Sequence, residues 1–86
     1  MRLQNSDFTI YPNPTTGNFT LEQKGEKAFG KVKVEVYGMC GERLMTNELY
    51  GEKKHEFGLS EFQQGIYFVK VVAGEYAETF KLIKTR

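Results

Sequence analysis

The sequence predicts an all-β domain, an antiparallel sandwich of about seven strands. Short apolar or alternating segments are separated throughout by Gly, Pro and Asn, which is the spacing of a sandwich or a barrel. The segment Lys31-Val32-Lys33-Val34-Glu35-Val36-Tyr37 alternates with a period of two, as a strand with one buried face does. No segment has the periodicity of an ordinary helix.

The first two strands are predicted from short alternating segments with a proline break between them. Residues 8–11 form the first strand, which ends where Pro12 and Pro14 flank Asn13, because proline has a fixed φ and no N–H to donate. Residues 18–22 form the second strand, and residues 23–27 are predicted to be a polar loop.

A hairpin is predicted over residues 31–50. Its first strand directs Val32, Val34 and Val36 inward and Lys33 and Glu35 towards water. The glycines of the segment Gly38-Met39-Cys40-Gly41 supply the positive φ angles of the turn, and residues 43–50 return as the partner strand.

Three more strands are predicted in the C-terminal half of the chain. They occupy residues 55–59, 66–72 and 76–84. Ser60 is expected to cap a helical turn before Gly65. The strand at 66–72 is almost continuously apolar, so it is predicted to be central, with cover on both faces.

Length and charge limit the possible functions. A chain of 86 residues has room for one domain, which we assign to residues 8–86, with residues 1–7 as a linker or the remnant of an introduced start. The formal net charge of +1 gives no reason to expect nucleic acid as a partner. There is no apolar run long enough for a transmembrane helix, and no signal peptide, which suggests either a cytoplasmic protein or a piece of a longer one.

The sequence offers little chemistry for catalysis. It contains one His, one Cys and one Asp, whereas a nucleophilic site needs a nucleophile, a base and an orienting group. Cys40 and His55 form the only conceivable dyad, and Cys40 lies in a turn. His55 has no second ligand at metal-binding spacing. We therefore expect no enzymatic activity, no cofactor and no metal.

Tyrosines leave a binding function open. Aromatic rings can stack on sugars, although in small sandwiches they more often pack in the core or at an edge. The tyrosines are Tyr11, Tyr37, Tyr50, Tyr67 and Tyr76. A carbohydrate- or protein-binding accessory module of a secreted protein is therefore an alternative, and a structural spacer is another.

Four segments, in order along the chain, resemble the blocks of the type A sorting domains of the type IX secretion system. The segment Tyr11-Pro12-Asn13-Pro14-Thr15-Thr16-Gly17 is similar to the opening motif of that family. The other blocks are residues 19–21 with 32–37 and Gly41, residues 59–60 with 65–71, and residues 79–84. Gly38 and Cys40 depart from the family, which commonly has small polar residues there.

The resemblance implies an immunoglobulin-like sandwich at the end of a larger cargo in Bacteroidota. Such a domain is a substrate of the outer-membrane translocation machinery and is generally removed by a cysteine sortase. The cargo domain would precede it, pass through the periplasm, and end on the cell surface or outside the cell. Cleavage would then fall near residues 2–7.

Recognition residues are predicted on that basis. The candidates are Pro12, Asn13 and Pro14 in the opening motif, Gly65, Tyr67, Val69, Lys70 and Val71 in the penultimate strand, and Lys81, Leu82 and Lys84 in the last strand. The last two strands are expected to present an edge to the machinery. Gly65 would allow a sharp turn, the apolar residues would anchor the strand, and Lys81 and Lys84 would offer charge. The two prolines are interpreted first as structural.

Overall fold

Strands form wherever the sequence alternates between apolar and polar residues. The structure is a computed structural model that describes residues 7–25 and 29–86. Its strands are β1 (Phe8–Tyr11), β2 (Asn18–Gln23), β3 (Lys31–Tyr37), β4 (Arg43–Tyr50), β5 (Lys54–Gly58), β6 (Gly65–Ala73) and β7 (Tyr76–Lys84). The predicted all-β class is confirmed, and the described part of the chain contains no helix that could cross a membrane.

The strands form two antiparallel sheets. The smaller sheet has the order β1-β2-β5, and the larger has the order β4-β3-β6-β7. In constant-type immunoglobulin domains the fourth strand joins the first sheet, whereas here β4 pairs with β3. The predicted hairpin of β3 and β4 is thus confirmed, and it leaves β4 and β7 as the two edges of the larger sheet.

The core lies between the sheets, where alternate residues of every strand meet. Phe19 and Phe57 stack across β2 and β5 with ring centroids 5.2 Å apart. Val34 and Val69 of the larger sheet are buried with them, as is Leu59 just after β5. Burying one such side chain contributes roughly 1.5–3 kcal/mol, so these residues supply much of the stability of a small domain.

Glu35 corrects one prediction about β3. It was expected to face water, but only 6% of its surface is exposed. The Tyr37 hydroxyl donates to it at 3.0 Å, Arg43 lies 3.3 Å away, and Lys33 lies 3.6 Å away. Burial by itself raises the pKa of this carboxyl, but the hydrogen bonds from Tyr37 and Arg43 and the positive charge of Lys33 outweigh burial and leave the pKa below its ordinary value.

The strand β6 is central, as predicted, but it is not covered on both faces. Tyr67, Val69 and Val71 point into the core. On the outward face Phe68 is half-buried and Lys70 is exposed. The apolar run therefore makes an outer surface that is only partly shielded.

Two turns differ from their predictions. The segment after Ser60 is a turn closed by the N–H of Phe62 on the carbonyl of Leu59 at 2.9 Å, and it is not helical. In the β3–β4 turn Gly41 has the positive φ, 85°, but Gly38 does not. An added Cβ at Gly38 would lie 2.7 Å from the carboxylate of the exposed Glu42 side chain, which would have to move aside.

Some predicted segments fall outside the described residues. Of the predicted linker, only Asp7 is described. The predicted polar loop at 23–27 is described up to Gly25, and β2 extends into it as far as Gln23.

Candidate recognition surface

The chain passes from the smaller sheet to the larger one at its two prolines. The strand β1 ends at Tyr11, and four residues later Thr15 forms a parallel bridge with Lys84 of β7. The segment between them lies along the outer edge of β7. The opening motif and the last strand, 70 residues apart in sequence, are therefore one surface.

Asn13 replaces a peptide group in this contact. Its side-chain Nδ2 donates to the carbonyl of Lys81 at 2.7 Å, and its Oδ1 accepts from the N–H of Ile83 at 3.0 Å. The flanking prolines have no N–H to offer an edge strand. An asparagine amide carries one donor group and one acceptor, so it can pair with a strand edge as a backbone would.

Thr15 continues the pairing with its own backbone. Its N–H donates to the carbonyl of Ile83, and its carbonyl accepts from the N–H of Thr85, both at 2.8 Å. The side chain is only 1% exposed, and its hydroxyl accepts from the N–H of Gly17 and donates to the carbonyl of Asn18. We call residues 13–15 the edge clamp.

The clamp covers only part of the edge. Ala73 pairs with Tyr76 across a two-residue turn, so the even-numbered residues of β7 direct their backbone groups at β6 and the odd-numbered ones direct theirs outward. Within residues 7–25 and 29–86, no backbone group pairs with the outward N–H and C=O groups of Ala77 and Thr79. We call residues 77–79 the open segment.

Several predicted recognition residues lie in the core. These are Tyr67, Val69, Val71 and Leu82, all of which are buried. They hold the two last strands in the sandwich and are not on the surface of the folded domain. Recognition of the folded domain would therefore depend on other residues.

The remaining candidates are on the surface, with one exception. Pro12, Asn13, Pro14, Gly65, Lys70 and Lys81 are exposed. Lys84 is only 9% exposed. It points to the opposite face of β7 from Lys81, because residues two positions apart in a strand share a face and the two lysines are three positions apart. The structure thus separates the two lysines that were expected to offer charge together.

Lys70 and Lys81 share the outer face of the larger sheet. Lys81 lies opposite Phe68 in the register of β6 and β7, and Lys70 lies opposite Thr79. Half-buried Phe68 and exposed Ile83 lie beside these lysines. The outer face next to the open segment is therefore basic and partly apolar.

Gly65 begins β6 opposite Lys84. Its φ is 155°, a value that residues with a side chain rarely adopt, and no atom lies within 4 Å of an added Cβ. The backbone conformation, and not crowding, favours glycine at this point.

Sequence reasoning missed the role of Thr15 and Ile83 in this surface. The only available signal was the local one, since Thr15 follows a proline and precedes Gly17 in a turn-forming segment. The pairing partner is at the other end of the chain, so no local pattern could indicate it.

The residues considered for catalysis or sugar binding are dispersed. Cys40 is exposed in the β3–β4 turn, whereas His55 lies on β5 in the other sheet, 3.6 Å from Glu52. Exposed Tyr11 and Tyr50 are on different sheets, so they do not form one stacking platform. The described residues contain no group of three His, Cys, Asp or Glu side chains that could hold a metal.

Fold and surface together define a class: a small two-sheet sandwich whose terminal edge strand is partly covered by its own N-terminal motif. A family model described as a secretion system C-terminal sorting domain matches residues 9–85. The chain belongs to this family, the type IX secretion C-terminal sorting domains. It is therefore a sorting signal for export to the cell surface or the medium, in a family that is non-catalytic.

The chain is also similar to part of a curated protein. An endo-acting ulvan lyase of Formosa agariphila is 26% identical to the chain over 66 residues. The match covers 77% of the chain but only 12% of the lyase. The similarity thus concerns a small part of a much longer enzyme.

Proposed function

We propose that this domain is recognised in its folded state, by addition of a strand from the translocation machinery to the open segment of β7. The observation that carries the proposal is the partly covered edge of the terminal strand. The clamp occupies the outward groups from the Lys81 carbonyl to the Thr85 N–H, whereas those of Ala77 and Thr79 have no partner in the described part of the chain. An exposed edge is a template for strand addition.

The outer face beside that edge supports the same conclusion. A strand that pairs with Ala77 and Thr79 places alternate side chains beside Thr79 and Lys81 on the outer face, with Lys70 one strand further in, on β6. Lys70 and Lys81 are exposed, and half-buried Phe68 lies opposite Lys81. A recognising strand with acidic and apolar residues on one face would fit this surface, because opposite charges on neighbouring strands attract.

On this proposal the cargo precedes the domain, and Asp7 leads directly into β1 at Phe8. Sortase cleavage would fall near residues 2–7, before the first strand, after transit through the periplasm. Attachment of the released cargo to the cell surface would complete the route.

A reporter fusion tests the sorting role and the edge separately. Residues 1–86 are placed behind a signal peptide and a fluorescent protein, and export is compared in a competent Bacteroidota host and a strain without the machinery. Thr79→Pro removes an outward N–H that pairs with no strand in the described part of the domain, and it is expected to block export. Thr79→Val keeps the N–H and is the matched control.

Thr79→Pro should change the unfolding free energy by less than about 1 kcal/mol, because proline is tolerated on an edge strand when its missing N–H would face solvent. Loss of export with a normal melting temperature, and normal export of Thr79→Val, would support strand addition. Normal export of folded Thr79→Pro would refute strand addition but leave the sorting role intact. Equal reporter export in both host strains would refute the sorting role.

A further inference from the structure

Lys84 is a buried cation without a partner. Its position in the register directs its side chain inward at the end of β7, and only 9% of its surface is exposed. Within the described residues no hydrogen bond or ion pair joins its ammonium group. A lysine with this little exposed surface is almost always paired.

The Lys84 side chain lines a cleft at this end of the sandwich. The cleft has a volume of about 530 Å³, and its other lining residues are Gln63, Gln64 and Arg86. It therefore contains two cations, two amides and no acidic side chain. Such a set of donors suits a carboxylate or another oxyanion, which Arg can hold with two hydrogen bonds.

A second cleft adjoins the first and shares Gln63 and Gln64 with it. It measures about 370 Å³ and is lined on its apolar side by Leu44, Phe62 and Ile66. Its one acidic residue, Glu42, lies on the β3–β4 turn. Apolar and cationic surfaces are thus continuous across the two glutamines, whose amides can also pair with a peptide backbone.

We infer that the two clefts together bind an acidic segment of a protein partner. Its carboxylate pairs with Lys84 and Arg86, and an apolar side chain next to it enters the neighbouring cleft. A free phosphate would use the cationic cleft alone, so the apolar extension favours a peptide. The site does not depend on strand addition at the open segment, and only the identification of its partner as a component of the secretion machinery rests on the proposed function.

Titration of the isotope-labelled domain by NMR tests the site. The probes are acetyl-Leu-Asp-amide, acetyl-Leu-Asn-amide and inorganic phosphate. The acidic peptide should shift the signals of Gln63, Gln64 and Lys84, with an affinity at least about 10-fold higher than the amide peptide, the equivalent of ~1.4 kcal/mol. Equal binding of the two peptides would overturn the inference, and tighter binding of phosphate would replace the peptide by a phosphate ligand.

Two variants test whether the charge of Lys84 is responsible for binding. Lys84→Met keeps the length of the side chain and removes the charge, so it should abolish the response to the acidic peptide. Its melting temperature should be unchanged or higher, since no ion pair is lost. Lys81→Met, on the opposite face of the same strand, should bind as the parent does. Undiminished binding by Lys84→Met would overturn the assignment.

Arg86→Gln provides a second variant in case Lys84→Met does not fold. It removes the other cation from an exposed position and should weaken binding of the acidic peptide about fivefold or more. In the reporter fusion, Lys84→Met should also reduce export. Loss of peptide binding without loss of export would overturn the identification of the partner as part of the machinery, while the binding site itself would stand.

Discussion

The two halves of β7 differ on the inward face of the strand and along its edge. In the C-terminal half, Leu82 and Lys84 are buried and the outer edge is paired with residues 13–15. In the N-terminal half, the inward residues Tyr76 and Phe80 are only half-buried, and the outward backbone groups of Ala77 and Thr79 lack backbone partners in the described chain. One strand thus combines a part that secures the fold with a part available for pairing.

A small sandwich can thus expose part of an edge without losing its fold. A fully exposed edge invites aggregation, and natural proteins cover or interrupt such edges. Here the clamp covers the half of β7 that borders the buried end of the core. The uncovered half is short, which limits unspecific pairing and leaves room for a specific partner.

The largest difference between the halves should appear on removal of core side chains. Leu82→Ala empties a fully buried position in the C-terminal half and should reduce the unfolding free energy by about 2–5 kcal/mol. Thr79→Ala, at an exposed position in the open half, should change it by less than about 0.5 kcal/mol. Urea denaturation followed by circular dichroism measures both values. Similar losses for the two variants would show that the halves do not differ in their contribution to the core.

A smaller effect is expected when the clamp loses its anchoring hydroxyl. Thr15→Val retains the shape of the side chain but leaves the N–H of Gly17 and the carbonyl of Asn18 without their partner. The expected loss is about 1–3 kcal/mol, the range for a broken buried hydrogen bond. Thr16→Val, at the exposed neighbouring position, is the control. A loss for Thr16→Val as large as that for Thr15→Val would contradict the role of the buried hydroxyl.

Replacement of Asn13 should lower the unfolding free energy by about 1 kcal/mol and should act locally, at the edge of β7. Asn13→Ala removes both contacts with β7, whereas Asn13→Asp can still accept from Ile83 but cannot donate to Lys81. Amide hydrogen exchange at Ile83 should accelerate strongly in the alanine variant and less in the aspartate variant. The amide of Thr79 should exchange rapidly in all three proteins. Unchanged protection of Ile83 in Asn13→Ala would show that Asn13 does not hold the edge.

An effect of similar size, but dependent on pH, should come from Glu35, on the far side of β6 from the terminal strand. The pKa of its carboxyl is lower in the folded state than in the unfolded chain, so its contribution is fully present above the unfolded value of about 4.3 and is lost as the pH falls through the folded value. The groups that face it are Lys33, Tyr37 and Arg43, with Lys70 opposite it in register.

Glu35→Gln should therefore lower the unfolding free energy by about 1 kcal/mol at pH 7. At pH 3 the unfolding free energies of the variant and the parent protein should differ by less. Denaturation across this pH range measures the difference. Glu56→Gln, at an exposed position of β5, serves as the control. A difference between parent and Glu35→Gln that stays constant from pH 7 to pH 3 would contradict a charge-dependent contribution.

Much of the fold could be predicted because its signals are local. Alternation placed the strands at residues 31–37 and 43–50 where the structure has them, and the turn glycine Gly41 has the expected positive φ. The same local reasoning failed for Glu35, since a charged residue at an outward position predicts exposure. Neighbouring side chains from β3 and β4 cover it instead.

The recognition surface was only partly predictable. The opening motif and the last strand were both identified, but as separate elements. The structure buries the predicted anchors Tyr67, Val69 and Val71, and Leu82 with them. Lys81 and Lys84 were treated as equivalent charges. Side chains alternate between the two faces of a strand, so residues three positions apart lie on opposite faces, and Lys84 is the lysine that points inward.

The sequence by itself determined the strands, some of the turns and the family, because alternation, prolines, glycines and short motifs act through neighbouring residues. Only the tertiary structure decided that Asn13 and Thr15 cover the edge of β7, that Ala77 and Thr79 are left open, and that Lys84 lies unpaired in a cleft. These features arise from contacts between residues distant in the chain. Their geometry depends on how the two sheets pack, which no local pattern encodes.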